Sequence, residues 1–252
     1  MSQTQFQTLL ALDCSTELLS LALQTSDSTV HVRQLQGGAQ SSQAVLAELD
    51  ALLREAKTPW SAVDLLVCGR GPGAFTGVRV TIAVAQGLAL ARSLPVFAVS
   101  GLLAIAEQAR VQRLQANTPS DQDADVQASW QVLALLDARM GQVYAAECDW
   151  QAGRWQHGPE RLLDYTALAS CTGTEASKAM VGNVRSALLA ADVVLPATLQ
   201  DANPCAAALL RVALQEIEAG AQPLTDPAAL GPVYVRDKVA QTTAERSLQK
   251  SA

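Results

Sequence analysis

Histidine is almost missing from this chain: His31 and His157 are the only two in 252 residues, and they lie far apart. A closely spaced imidazole pair able to hold a metal is therefore excluded, and neither Cys14 nor Cys68, at the ends of apolar runs, has a histidine nearby in sequence to activate it. The five cysteines (Cys14, Cys68, Cys148, Cys171, Cys205) are scattered, odd in number and without a C-x-x-C pair. This excludes a zinc knuckle or a disulfide frame and reads as reduced, packed thiols suited to the cytosol. No apolar run approaches the roughly 18 residues that span a bilayer, and no positive charge precedes the first apolar run, so neither a membrane span nor a secretion signal is expected. Positive charge is scarce too. Eighteen Lys and Arg stand against 24 Asp and Glu, a net charge of −6, which disfavours tight binding to a phosphate backbone by this chain alone. What remains is apolar: 49% hydrophobic residues, enough for a substantial core in one large domain or two lobes.

The apolar runs LLALDC (9–14) and LLSLALQ (18–24), with the alternating STVHVRQL, predict an antiparallel meander. A helix over 42–56, a strand over 62–68, a helix over 77–92, a strand over 95–99 and a helix over 101–114 follow, which makes the class mixed α/β. The polar, aromatic-free NTPSDQDADVQAS then reads as a mobile loop. After it the pattern restarts: WQVLALLDARMGQVYAAEC is a second hairpin, and Leu9–Asp13 aligns with Leu133–Asp137, each strand closing in an Asp. The repeat points to a duplication.

GRGPGAFTG (69–77) is the densest glycine stretch. Counted from Gly71, its third glycine falls one place late for a dinucleotide loop, with Thr76 in the expected position. Val78 and Arg79 stand where a P-loop needs Lys and Ser or Thr. The preferred reading is a close-packed strand-to-helix corner, with Thr76 as N-cap and a generic anion site at the helix start. Asp13 and Asp137 suit either a metal-nucleotide or a hairpin closed on its own backbone, and the second is preferred. Arg70 and Arg79 read as solvated or paired, and Trp130, Trp150 and Trp155 as core or edge. In the helix 77–92 apolar residues fall on both faces, so something besides its own sheet should cover it. Val80, Ala83, Val84, Gly87 and Ala91 form one such face, and Ala44, Ala47 and Ala51 oppose the leucine stripe of the preceding helix. Mutual packing of the two helices and an interface with a partner both fit.

The duplicated hairpin ending in Asp resembles the superfamily of actin, sugar kinases and chaperone ATPases. LLALDCSTELLSLAL, GRGPGAFTGVRVTIAVAQGLAL, PVFAVSGLLAIA, VLALLDARMGQVYAAE and PVYVRDKVA together resemble, in order and over most of the chain, the TsaB family of threonylcarbamoyladenosine synthesis on tRNA. The resemblance implies an α/β, two-lobed actin-like ATPase (ribonuclease H-like) fold with duplicated lobes and mixed sheets. Its divisions would be a first lobe over 1–114 with a segment of about 220–238 packing back on it, a mobile loop over 115–128, a second lobe over 129–219 and a tail over 239–252. It implies a cytoplasmic, non-catalytic scaffold that binds and activates the TsaD-type transferase, with a TsaE-type ATPase as a further component, a homodimer through the first lobe, and tRNA reached only through the complex. It also selects the interface reading of Ala44, Ala47, Ala51, Val80, Ala83, Val84, Gly87 and Ala91. No catalytic residue, cofactor or metal is expected. The metal-binding paralogues use a His-x-x-x-His pair that this chain lacks, and Ser41 stands where relatives often carry His. Residual nucleotide or anion binding would fall on Asp13, Ser15, Gly71, Gly73, Thr76, Gly77 and Asp137. The enzyme alternative is a nucleotide-dependent kinase or ATPase of the same superfamily.

Overall fold

The computed structural model describes residues 6–38, 41–116, 129–171, 179–195 and 198–236. Most of the stretch read as a mobile loop, and the tail 239–252, lie outside the described residues. The first sheet is built from β1 (Leu9–Asp13), β2 (Leu18–Gln24), β3 (Val30–Gln36), β4 (Leu65–Gly69) and β5 (Val96–Val99), in the order β3-β2-β1-β4-β5. β1 to β3 form an antiparallel meander; β4 and β5 run parallel to β1. The second sheet is built from β6 (Ser129–Arg139), β7 (Gln142–Gln151), β8 (Arg154–His157), β10 (Ala179–Gly182) and β11 (Leu199–Asp201), in the order β8-β7-β6-β10-β11, with β9 (Arg161–Asp164) also pairing β7. It repeats the first: an antiparallel meander from β6 to β8, then two parallel strands on the other side of β6. Two lobes of one topology make this the duplicated, mixed-sheet α/β fold of the actin-like, ribonuclease H-like class.

The period-2 alternation of each strand distributes its side chains between layers. In β1, Leu9 and Ala11 face the space between the sheets, whereas Leu10 and Leu12 face outward into a separate core. A strand buried on both faces reads as a continuous apolar run, as LLALD does. The outer core is closed by α1 (Ser41–Glu55) and α2 (Phe75–Arg92), through Val45, Leu49, Val78, Ile82 and their neighbours. Between the sheets lie α3 (Gly101–Ala116) and α6 (Ala206–Glu218), sharing one core with both. The far face of the second sheet carries α4 (Tyr165–Cys171) and α5 (Arg185–Ala190). The segment after α6 returns to the first lobe, where Leu224 and Val96 exchange both backbone hydrogen bonds at 2.8 Å and Leu230 enters the outer core.

Three local expectations change. The strand expected over 62–68 begins at Leu65, because Trp60–Ala62 after Pro59 forms a 3-10 turn and the Asp64 carboxylate accepts from the N–H groups of Gln7 and Thr8 at 2.8 and 3.2 Å. Thr76 is not the N-cap of α2. Ala74 holds that place with no side-chain cap bond, its N–H donating to the Ser15 carbonyl at 2.8 Å, so the chain is already helical at Thr76. Beyond Trp150, where the sequence analysis assigns no elements, the structure has β8 to β11 and α4 to α6.

Candidate functional site

Both hairpins use their Asp in the same way. Asp13 Oδ1 accepts the Ser15 N–H at 3.0 Å and Oδ2 the Ser15 hydroxyl at 2.8 Å; Asp137 Oδ1 accepts the Arg139 N–H at 2.9 Å. A carboxylate taking the backbone N–H two residues on closes the turn locally. The surroundings then diverge. Asp137 lines the cleft between the lobes, also accepting the Tyr165 hydroxyl at 3.0 Å, whereas Asp13 is only 2% exposed. Its neighbour Gly69 is glycine of necessity, since a Cβ there would stand 2.6 Å from Asp13 Oδ1. Sealed in this way, Asp13 does not line the cleft that Asp137 lines.

Burial, partly offset by the Ser15 bonds, raises Asp13 from the ordinary 3.8 to about 6. Between these values the folded chain holds a proton that the unfolded chain has released. Asp13 therefore costs nothing below pH 3.8, costs progressively more as pH rises, and costs its full amount, about 3 kcal/mol, above pH 6. Asn can keep both Ser15 contacts without a charge. Urea unfolding at pH 4 and pH 7 should give Asp13→Asn a gain over the parent that grows with pH; an equal difference at both would refute the linkage.

The glycine loop is a packing corner. A Cβ on Gly73 would lie 2.5 Å from the Ser15 carbonyl, and one on Gly77 1.9 Å from the Cys14 carbonyl. The start of α2 is thus pressed against the β1–β2 turn, and the Cys14 N–H is taken by Thr81 Oγ1 at 2.8 Å. Gly71, at φ +89, has the left-handed backbone that glycine tolerates, and its carbonyl accepts the Gly101 N–H at 2.8 Å. Of the backbone N–H groups at this corner, that of Ala74 donates to the Ser15 carbonyl of the β1–β2 turn at 2.8 Å. Burial and the nearby Asp13 charge push the Cys14 and Cys68 thiols up to about 12, leaving them protonated and unreactive.

The cleft has a volume of about 520 Å3, within the range of ligand sites. Phe75 and Val78 of α2 face Leu136 and Tyr144 of the second hairpin across it, and the C-terminal residues Val233 to Arg236 form part of its wall. Neither Tyr144 nor Val233 to Arg236 is among the site residues offered by the sequence, although the segment of about 220–238 is expected there to pack back on the first lobe. Ser15, Gly73 and Asp137 line the cleft, whereas Gly71, Thr76 and Gly77 do not. The ion pair Arg139–Glu17, 2.8 Å, crosses the lobes but is 70% exposed on both sides. No group of three His, Cys, Asp or Glu able to hold a metal exists among the described residues.

On the outer side of the first lobe α1 and α2 touch each other. Ala44, Val80 and Val84 are half-buried against the lobe's own core, and Ala51 is half-buried too, so this part of the small-residue face is partly internal. Ala47, Ala83, Gly87 and Ala91 are exposed, and a Cβ on Gly87 would meet nothing within 4 Å. Leu90 is 77% exposed beside them.

Comparison with known proteins gives a consistent result. The family model described as "TsaD: tRNA N6-adenosine threonylcarbamoyltransferase" matches residues 28–169, more than half of the chain. The tRNA threonylcarbamoyladenosine biosynthesis protein TsaB of Haemophilus influenzae is 37% identical over 56% of this chain and 53% of its own length. That of Escherichia coli is 36% identical over 60% and 59%. The matched stretches thus span little more than half of these curated relatives. The solved structure of YeaZ from Pseudomonas aeruginosa is 33% identical, covers 90% of this chain and 99% of its own, and superposes with a TM-score of 0.74. With a family model over more than half of its length, TsaB relatives above one-third identity and a superposition over 90% of its residues, the chain belongs to the TsaB family.

Proposed function

We propose that this chain is the non-catalytic scaffold of a tRNA threonylcarbamoylation system, binding and activating a TsaD-type transferase through the outer face of α1 and α2. The observation that carries the reading is the uncovered stripe of Ala83, Gly87, Leu90 and Ala91, with Ala47 on α1. Small residues at four-residue spacing let a second helix come close, and a mid-helix glycine costs about 1 kcal/mol against alanine, so such a face needs a use outside the lobe. The sealed Asp13 and a glycine corner pressed against the β1–β2 turn support a binding rather than a catalytic role. A TsaE-type ATPase would join the assembly, a second copy could use the same face in the absence of the transferase, and the net charge of −6 leaves tRNA to be held by the complex. No helix among the described residues is long and apolar enough to cross a membrane, and a cytoplasmic setting fits the role.

Gly87→Leu tests this. The side chain would enter open space on the isolated protein, and Leu is the better helix former, so melting of the variant alone should be unchanged or slightly higher. Association with a TsaD-type partner, followed by size-exclusion chromatography and calorimetry, should weaken at least about tenfold, the effect of roughly 1.4 kcal/mol of overpacking. Full complex formation by the variant would remove this face from the interface.

A further inference from the structure

The lobes share an apolar core at the base of the cleft, where α3 and α6 lie between the sheets. The mouth is held differently. After Leu230, 3% exposed in the outer core of the first lobe, the chain runs across the opening and grips both lobes in succession. The Val233 N–H donates to the Arg70 carbonyl at 2.8 Å. Tyr234 then accepts a hydrogen bond from Arg79 Nε at 3.0 Å, and its ring lies 6.0 Å from that of Phe75, with the Arg79 guanidinium 3.8 Å from the Phe75 centroid. These contacts all belong to the glycine corner and the first turns of α2. Two residues later the grip passes to the second lobe: Arg236 Nη2 donates to the Ala138 carbonyl at 3.1 Å and to Gln142 Oε1 at 2.8 Å, at the tip of the β6–β7 hairpin.

We propose that residues 230–236 are a latch that fixes the width of the interlobe cleft, joining the start of α2 to the β6–β7 hairpin. The exposed pair Arg139–Glu17 also spans the lobes, and pairs so exposed contribute little; Ser100 Oγ at the end of β5 donates to Glu160 of the second lobe as a further tie. Arg236 is half-buried, its fork satisfies hairpin acceptors that α2 does not reach, and a guanidinium makes such planar multiple contacts where an ammonium cannot. Releasing it leaves the base of the cleft intact and frees the mouth, a hinge of the ordinary domain-closure kind.

The test uses the full chain with Cys171→Ser and spin labels at the exposed positions Gln43→Cys on α1 and Leu189→Cys on α5, the other four cysteines being buried. The parent should give one narrow interlobe distance distribution. Arg236→Ala should give a distribution roughly twofold broader and shifted to longer distance, and Arg236→Lys should recover only part of it. Tyr234→Ala removes the side-chain part of the latch's hold on the first lobe and, being 51% exposed, serves if Arg236→Ala does not fold; it should broaden the distribution in the same direction. A parent-like distribution in Arg236→Ala, or in Tyr234→Ala where Arg236→Ala does not fold, would overturn the latch and leave the cleft to the shared core and the other interlobe bonds.

Discussion

Glu107→Gln is expected to lower the melting temperature by about 10 °C, a loss of roughly 4 kcal/mol. Glu107 is an acid on an otherwise apolar stretch of α3, fully buried between the sheets, and every lone-pair direction is used. Oε2 accepts from Arg110 Nε at 2.8 Å and Trp155 Nε1 at 2.9 Å; Oε1 accepts from Arg110 Nη2 at 3.1 Å and Arg211 Nε at 3.0 Å. The carboxylate thus ties α3 to α6 and to β8 of the second sheet. Arg110 also stacks over Trp150, 4.0 Å from the ring centroid, beside the edge-on pair Trp150 and Trp155. Gln has nearly the same shape but turns one acceptor into an NH2 group facing guanidinium donors and leaves two cations facing a neutral amide, and breaking a buried pair in this way is among the costliest single changes. Differential scanning calorimetry reads the effect, and a fall below about 2 °C would mean that the cluster contributes no more than a surface pair.

Two glycine-to-alanine changes on one helix should have opposite signs. At Gly77 the new methyl group would lie 1.9 Å from the Cys14 carbonyl oxygen, a backbone atom in a buried turn, so α2 must be displaced from the β1–β2 turn. A loss of about 3 kcal/mol or more is expected. At Gly87 the methyl meets nothing within 4 Å, and replacing glycine inside a helix should give back roughly 0.5–1 kcal/mol. Chemical denaturation of both variants measures the pair. If the loop instead existed to cradle a phosphate, Gly77→Ala would keep its stability and lose only a ligand, so a normal midpoint for that variant would sink the corner reading.

Legibility in the sequence followed how local each determinant is. β2 runs over the residues its apolar pattern predicts, and the repeated LLALD and LALLD announced the duplication, because strand alternation and turn chemistry are written within a dozen residues. The Asp hairpins were legible for the same reason: an Asp bonding the N–H two residues on is a local event. α6 was overlooked although Ala206, Leu209, Leu210 and Ala213 mark a buried helical stripe that periodicity could have found. The Glu107 cluster and the Arg236 anchor had no comparable signal. Arg110 is a local partner of Glu107, three residues on, but Trp155 and Arg211 stand 48 and 104 residues away and the partners of Arg236 94 or more, and a Glu or Arg in a sequence says nothing about which distant donor or carbonyl meets it. Thr76 misled as a helix cap because the N–H bond that starts α2 goes to another strand turn, not to a local side chain.

The position of α6 bears on how the chain is made. Its residues follow both sheets in sequence, yet it packs against β1, β2, β4 and β5 as well as β8. Leu9, Ala11, Leu65 and Val67 on the first sheet therefore lack part of their cover until about residue 218 has been synthesised. During translation the first lobe is an unfinished sheet with an apolar face open to water, the condition in which nascent chains aggregate or recruit chaperones. A break between α3 and β6 would yield no self-sufficient half, and the two lobes, duplicated in topology, should unfold in a single cooperative transition.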